Sequence, residues 1–267
     1  MSRLLIALTL AWATATTAAE PVQDAALAQW IAGPQRSEAN RKRDVYRHPQ
    51  ETLAFFELKD NLTVVEVWPS VNAWWAEILA PYLRDHGRYI MALHAGAHNP
   101  AAAKAEHEVI LGRIANQPTI YGKGVVAHLP GLGDTVAPNS ADRVLTFLNL
   151  HNWIVDGEAD GDLAAFYTAL KPGGILGIVD HRGRSDLSQE TQLASGYLRE
   201  DYVIALAQKA GFKLVATSEI SANPRDSKDY PEGVWTLPPS LRLKDVDREK
   251  YLSIGESDKF TLKFVKP

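Results

Sequence analysis

"VVEVWPSVNAWW" (residues 64–75) decides how the chain is read. Leu62 to Val67 is apolar and β-branched without alternation, the pattern of a strand covered on both faces in a parallel sheet. Trp74, Trp75, Ile78, Leu79, Tyr82 and Leu83 then recur at helical spacing, and Gly87 closes the helix. Strand, tight turn and helix make the unit in which many α/β enzymes hold a nucleotide-like cofactor, yet this turn contains no glycine.

The same unit recurs along the chain. Strands are expected at 88–95, 124–129, within 141–153, and at 175–182, 212–220 and 259–265. Helices are expected at 100–114, with Asn99 as N-cap and Pro100 at the first helical position, at 162–170, stopped by Lys171-Pro172-Gly173-Gly174, and at 199–211. Residues 36–58 read as two helices broken at His48-Pro49, because the residue before proline is driven away from helical angles. "NPRDSKDYPEGVWTLPPSL" (223–241) is a long irregular insertion before the last strand and is the candidate substrate lid. Alternating helices and buried strands specify an α/β fold with a doubly wound, mostly parallel sheet, Rossmann-like in type.

Composition narrows the function. The 267 residues are 46% hydrophobic and 22% charged, which suits one large α/β core. A net charge of −4 leaves no basic footprint for nucleic acid. The absence of cysteine excludes disulfides, cysteine-ligated zinc and a thiol nucleophile. His94 and His98 are four residues apart, but Gly96 and Asn99-Pro100 place them in a loop, and with no H-E-x-x-H motif no metal is expected. No G-x-S-x-G elbow occurs, and "GLGD" (131–134) is too short for a phosphate loop. Arg3, the apolar run Leu4 to Trp12 and the small residues Thr17-Ala18-Ala19 read as a signal peptide over residues 1–19, too short to span a bilayer. The expectation is export to a periplasm, no stable membrane insertion after cleavage, a helical cap over 20–60 and an α/β domain over 61–267. Oligomeric state is left open.

In order, "VVEV" with its turn and helix, "ADRVLTFLNLHNW", "LKPGGILGIVDHR" and "AGFKLVATSEI" resemble class I S-adenosylmethionine-dependent methyltransferases over about residues 36–267. With the tail "GVWTLPPSLR…GESDKFTLKFVKP" the chain is similar to the exported predicted methyltransferases of bacteria. The resemblance implies a seven-stranded sheet whose antiparallel last strand is inserted beside 212–220, with S-adenosylmethionine at the carboxyl ends of the strands. It makes Glu66 the acid that ends the first strand. Trp68, Ser70 and Asn72 stand at the glycine positions, with Trp68 either crowding the cofactor or walling its pocket. His94 takes the place of the ribose-binding acid, and Asn149 completes the cofactor set.

Two polar groups follow buried strands directly. Asn149, His151 and Asn152 sit at the end of the fourth strand, and Asp180, His181 and Arg182 at the end of the fifth, at the same sheet edge. His151 and His181 are general-base candidates, Asp180 their orienter and Arg182 an anion clamp. Tyr46, Arg47 and His48 either fold over the site to contact substrate or form a salt-bridged helix end. Trp74 and Trp75 read as core, whereas Trp153 and Trp235 lie beside polar loops and are candidate walls for a flat or apolar substrate. Two functions fit: a methyltransferase acting on a small molecule, or an exported binding protein or pseudoenzyme that uses the cleft for another ligand.

Overall fold

The apolar run of the 64–75 stretch forms β1 (Thr63–Val67) in the computed structural model of the protein, which describes residues 24–94 and 100–267. The readings on residues 1–19 and on Gly96, His98 and Asn99 lie outside these residues. Four helices precede β1: α1 (Ala25–Ala32), α2 (Glu38–Arg41), α3 (Asp44–Arg47) and α4 (Pro49–Phe55). Asp24 and Ser37 cap the first two by accepting from Leu27 N and Asn40 N. The expected break is present: His48 is left-handed at φ 43°, and Pro49 opens α4, where its missing N–H costs no bond.

After β1 come α5 (Ala76–Leu83), β2 (Arg88–His94), α6 (Pro100–Asn116), α7 (Pro118–Tyr121), β3 (Val125–Leu129) and β4 (Ala141–Phe147). Then follow α8 (Leu150–Asp156), α9 (Ala159–Ala169), β5 (Leu170–His181), α10 (Gln189–Leu193), α11 (Glu200–Lys209), β6 (Lys213–Ser218), α12 (Arg248–Ile254) and β7 (Lys259–Val265). The seven strands lie in the order β3-β2-β1-β4-β5-β7-β6. β7 is antiparallel to both neighbours, with Leu262 opposite Ile178 on one side and Thr217 on the other. The expected seven-stranded sheet with an inserted last strand is therefore present.

Alternate residues of β1 feed two apolar layers. Val65 and Val67 pack with Leu163 and Phe166 of α9 and Val203 of α11. Val64 packs on the other face with Leu53 and Phe56 of the cap and Ile78 and Leu79 of α5. Every residue of α5 is buried, because α1 covers its outer side. Among the described residues no helix is long and apolar enough to cross a membrane.

Some boundaries differ from the sequence reading. β4 stops at Phe147, Leu148 turns left-handed at φ 61°, and His151, Asn152 and Trp153 stand on α8 rather than at a strand end. The "LKPGG" run lies inside β5 as an irregularity, Ala141 pairing with Leu170 and Arg143 with Ile175. β6 alternates between exposed and half-buried residues because it is an edge strand. β1 and β4 are parallel, but the strand order reverses between them, with β2 and β3 laid to one side and β5 to the other, which opens a crevice at the carboxyl ends of these strands.

Candidate functional site

Above that crevice, Asp180 is fully buried near the end of β5 and accepts from His151 Nδ1 at 2.9 Å, His181 N at 2.8 Å and His151 N at 3.4 Å. Burial alone would raise its carboxyl. The neighbouring His151 and His181 with their hydrogen bonds outweigh that and hold Asp180 below its ordinary value. A carboxylate on Nδ1 fixes the proton there, which leaves His151 Nε2 as the proton acceptor. His181 lies beside it, ring centroids 5.2 Å apart, but differs in kind. Burial pushes its imidazole down to about 3, helped by His151 and Lys259, and Nδ1 sits 2.5 Å from Ser257 Oγ. His181 is thus a neutral structural partner, and of the two base candidates only His151 faces the cleft. That cleft, about 330 Å³, lies between Trp68, Glu106, His151, Asn152, Asp156 and Trp235.

Arg182 does not stand ready for an anion. Its guanidinium holds both Glu219 oxygens at 2.6 and 2.8 Å, with Glu200 at 3.3 Å and Asp258 at 3.8 Å. Three carboxylates already surround it, so an anion would have to displace one of them to reach Arg182.

The cofactor set divides between the two layers. Glu66 is 2% exposed and accepts from Tyr89 OH at 2.5 Å within the α5 layer. Burial pushes its carboxyl up to about 8, against the opposing effects of Tyr89 and Arg47, so it is protonated at neutral pH and turned from the cleft. His94 points into the other layer, with Nε2 2.6 Å from Glu158 Oε2. The Trp68 indole stacks on its imidazole at 4.8 Å and 10°. Trp68 therefore both walls the cleft and covers His94, which closes the ribose-acid position expected there. The turn keeps left-handed backbone at its two ends without glycine, Trp68 and Ala73 each having φ 49°. Glu106 holds it, accepting from Trp68 Nε1 at 2.8 Å and Val71 N at 3.2 Å. Asn149 Nδ2 donates to Val67 O at 2.8 Å and so positions the turn. Ser70 and Asn72 are exposed on its outer side.

Trp153 is also corrected. It is fully buried, packed at 5.7 Å against Phe166, and is core rather than pocket wall. Trp235 keeps its expected place, edge-on to His151 at 6.2 Å, carried by the 223–241 insertion. A flat group bearing hydroxyls and a positive centre would find aromatic walls in Trp68 and Trp235 and acceptors in Glu106 and Asp156. Glu106 and Asp156 carried no sequence signal, since each sits mid-chain on a helix with no motif around it.

Tyr46 and His48 line a second depression of about 310 Å³ with Asn223, Ser257 and Lys259, on the far side of His181. Arg47 lies over the Trp74 ring at 4.9 Å and 3.8 Å from Glu256. Arg43 and Lys259 meet the same carboxylate at 2.6 and 3.3 Å, so three cations share one buried acid. Burial would raise Glu256, but Lys259, Arg47 and Arg43 draw it down to about 2. The 43–51 segment is salt-bridged, and Tyr46, Arg47 and His48 do not line the cleft beside His151.

No family model matches the chain, and comparison with curated proteins gives no match. Solved structures do match. A SAM-dependent methyltransferase from Aquifex aeolicus is 15% identical, with TM-score 0.53 over 85% of this chain and 93% of its own. A putative sarcosine dimethylglycine methyltransferase from Galdieria sulphuraria is 12% identical, with TM-score 0.54 over 86% and 91%. The 4+2 cyclase SpnF is 16% identical, with TM-score 0.51 over 88% and 86%. At such identities the likeness is one of architecture: the chain carries the fold of class I S-adenosylmethionine-dependent methyltransferases.

Proposed function

We propose that the protein is a small-molecule methyltransferase whose cofactor, S-adenosylmethionine, lies in the cleft between Trp68 and Trp235, with His151 as general base. The observation that carries this reading is the Asp180–His151 pair opening into a cleft at the strand switch point of a methyltransferase fold. Glu106 and Asp156 would hold the cofactor's hydroxyl and cationic groups in place of Glu66 and His94, and the outer face of Trp68 would carry its flat ring. Bound there, the cofactor supplies an electrophilic methyl group. His151 Nε2 takes the proton from the acceptor's O–H or N–H, while Asp180 holds the ring and stabilises the imidazolium. Trp235 covers the pair and excludes water. Export directed by residues 1–19 belongs to the same proposal.

A second reading, binding of another ligand without methyl transfer, is favoured by Trp68 covering His94. SpnF is named as a cyclase and shares the architecture, so fold alone does not choose. Calorimetric titration with S-adenosylmethionine and S-adenosylhomocysteine separates the readings. Micromolar binding is expected, weakened about tenfold by Glu106→Gln or Asp156→Asn, the worth of one hydrogen bond to a charged acceptor. A folded protein that gives no heat with either compound would leave the second reading standing.

A further inference from the structure

His94, Glu158 and Asp162 meet beneath Trp68, their ligand atoms all within 4.8 Å of one another. Glu158 caps α9 and Asp162 stands one turn on, so both carboxylates share the helix face turned to the end of β2. Asp162 is 5% exposed. Glu158 Oε2 and Asp162 Oδ2 are both buried without a hydrogen-bond partner. The 2.6 Å approach of His94 Nε2 to Glu158 therefore lacks hydrogen-bond alignment, and Asp162 Oδ2 lies 3.8 Å from the same nitrogen. Two buried carboxylate oxygens that face one imidazole nitrogen, neither of them in an aligned hydrogen bond, are costly unless a cation joins them.

The other histidine cluster shows the contrast. His151, Asp180 and His181 are equally close together, but each Asp180 oxygen already accepts aligned hydrogen bonds, so that cluster is complete as it stands. In the first cluster one imidazole and two carboxylates carry two negative charges once both acids are ionised, and a divalent ion would neutralise them. Ligands about 2.1 Å from a tetrahedral ion are roughly 3.4 Å apart, a spacing these three atoms reach with small side-chain shifts.

We propose that His94 Nε2, Glu158 and Asp162 are the protein ligands of a divalent transition cation of the zinc or manganese class, held at the foot of the cleft beneath Trp68. The donor set of one imidazole and two carboxylates suits those ions and leaves a fourth position open. The ion would tie α9 to β2 and fix the imidazole on which Trp68 stacks. Sequence spacing could not show it, because the ligands lie 64 and 68 residues apart on separate elements.

The test uses the full chain, stripped with chelator and titrated with zinc ion, with cobalt ion as a spectroscopic probe. One equivalent should bind at micromolar or tighter affinity, raise the melting temperature by several degrees, change tryptophan fluorescence and give a four-coordinate cobalt spectrum. Asp162→Asn and Glu158→Gln should each weaken zinc binding a hundredfold or more. In chelator, Asp162→Asn should melt no lower than the parent, since it removes an orphaned carboxylate, which shows that its loss of metal is not a loss of fold. His151→Gln should still bind one equivalent. Stripped parent protein that binds no zinc, or zinc binding that survives Asp162→Asn or vanishes in His151→Gln, would overturn the proposal. None of these readouts depends on methyl transfer.

Discussion

His151 and His181 stand on either side of Asp180 with ring centroids 5.2 Å apart, and their surroundings give them different chemistry. Both histidines are visible in "HNW" and "DHR" as polar residues after apolar runs, so the sequence marks the place. It does not mark which ring is the base, because that depends on Ser257, brought to His181 Nδ1 from 76 residues away. The difference can be measured through stability. His181 falls from an ordinary 6.5 to about 3 in the fold, so between those values the unfolded chain binds a proton that the folded chain refuses. The contribution of neutral His181 is therefore complete above pH 6.5 and is lost as pH falls toward 3, by up to roughly 5 kcal/mol. The buried acids Glu66 and Asp162 titrate the opposite way in this range, so the effect is read as a difference: in denaturant unfolding His181→Asn should gain stability relative to the parent as pH falls from 7 to 4. Equal slopes in the two proteins would mean that His181 is not held neutral by its surroundings.

Among the elements, the strands were legible as buried apolar runs, as β1, β2 and β3 are, whereas the inserted last strand was implied only by the family resemblance. The end of β4 was not legible, because Leu148 and Leu150 continue the apolar pattern while the backbone has already left the strand at Leu148. The amino-terminal cap shows why packing between distant elements escapes periodicity. Tyr46 lies against Gly255, where an added Cβ would come within 2.7 Å of the Tyr46 ring, and Gly255 itself has φ 88°. Gly255→Ala therefore carries backbone strain of roughly 1–2 kcal/mol together with a steric clash. The expected result is a melting temperature lower by several degrees. A second change, Tyr46→Ala, should restore only the part due to the clash. Full recovery in the double variant would show that the left-handed backbone costs nothing there.

Across the whole molecule, the two apolar layers each bury an acid whose carboxyl is raised to neutrality or above. Glu66 lies in the α5 layer, raised to about 8, and Asp162 in the α9 layer, raised to about 7. Their ordinary values are 4.5 and 3.8, so from about pH 4.5 upward the folded chain holds protons that the unfolded chain releases. Each contributes stability that is complete below its unfolded value and is lost as pH rises through its folded value. Glu256, drawn down to about 2, and His181 act oppositely, but their effects end at 4.5 and 6.5, where their unfolded forms finish titrating. Above pH 6.5 only the acids' losses remain among these groups, each up to roughly 1.4 kcal/mol per pH unit. In chelating buffer, stability should therefore peak on the acid side of neutrality and decline toward pH 8. Glu66→Gln keeps an acceptor for Tyr89 but cannot ionise, so it should remove Glu66's share of the decline and gain a few kcal/mol over the parent at pH 8.5, with little change at pH 5. Unfolding curves for the two proteins at these two pH values decide the matter. Parallel behaviour would show that Glu66 is ionised in the fold with Arg47 as its counter-charge, and the acid at the end of β1 would again be available to a ligand.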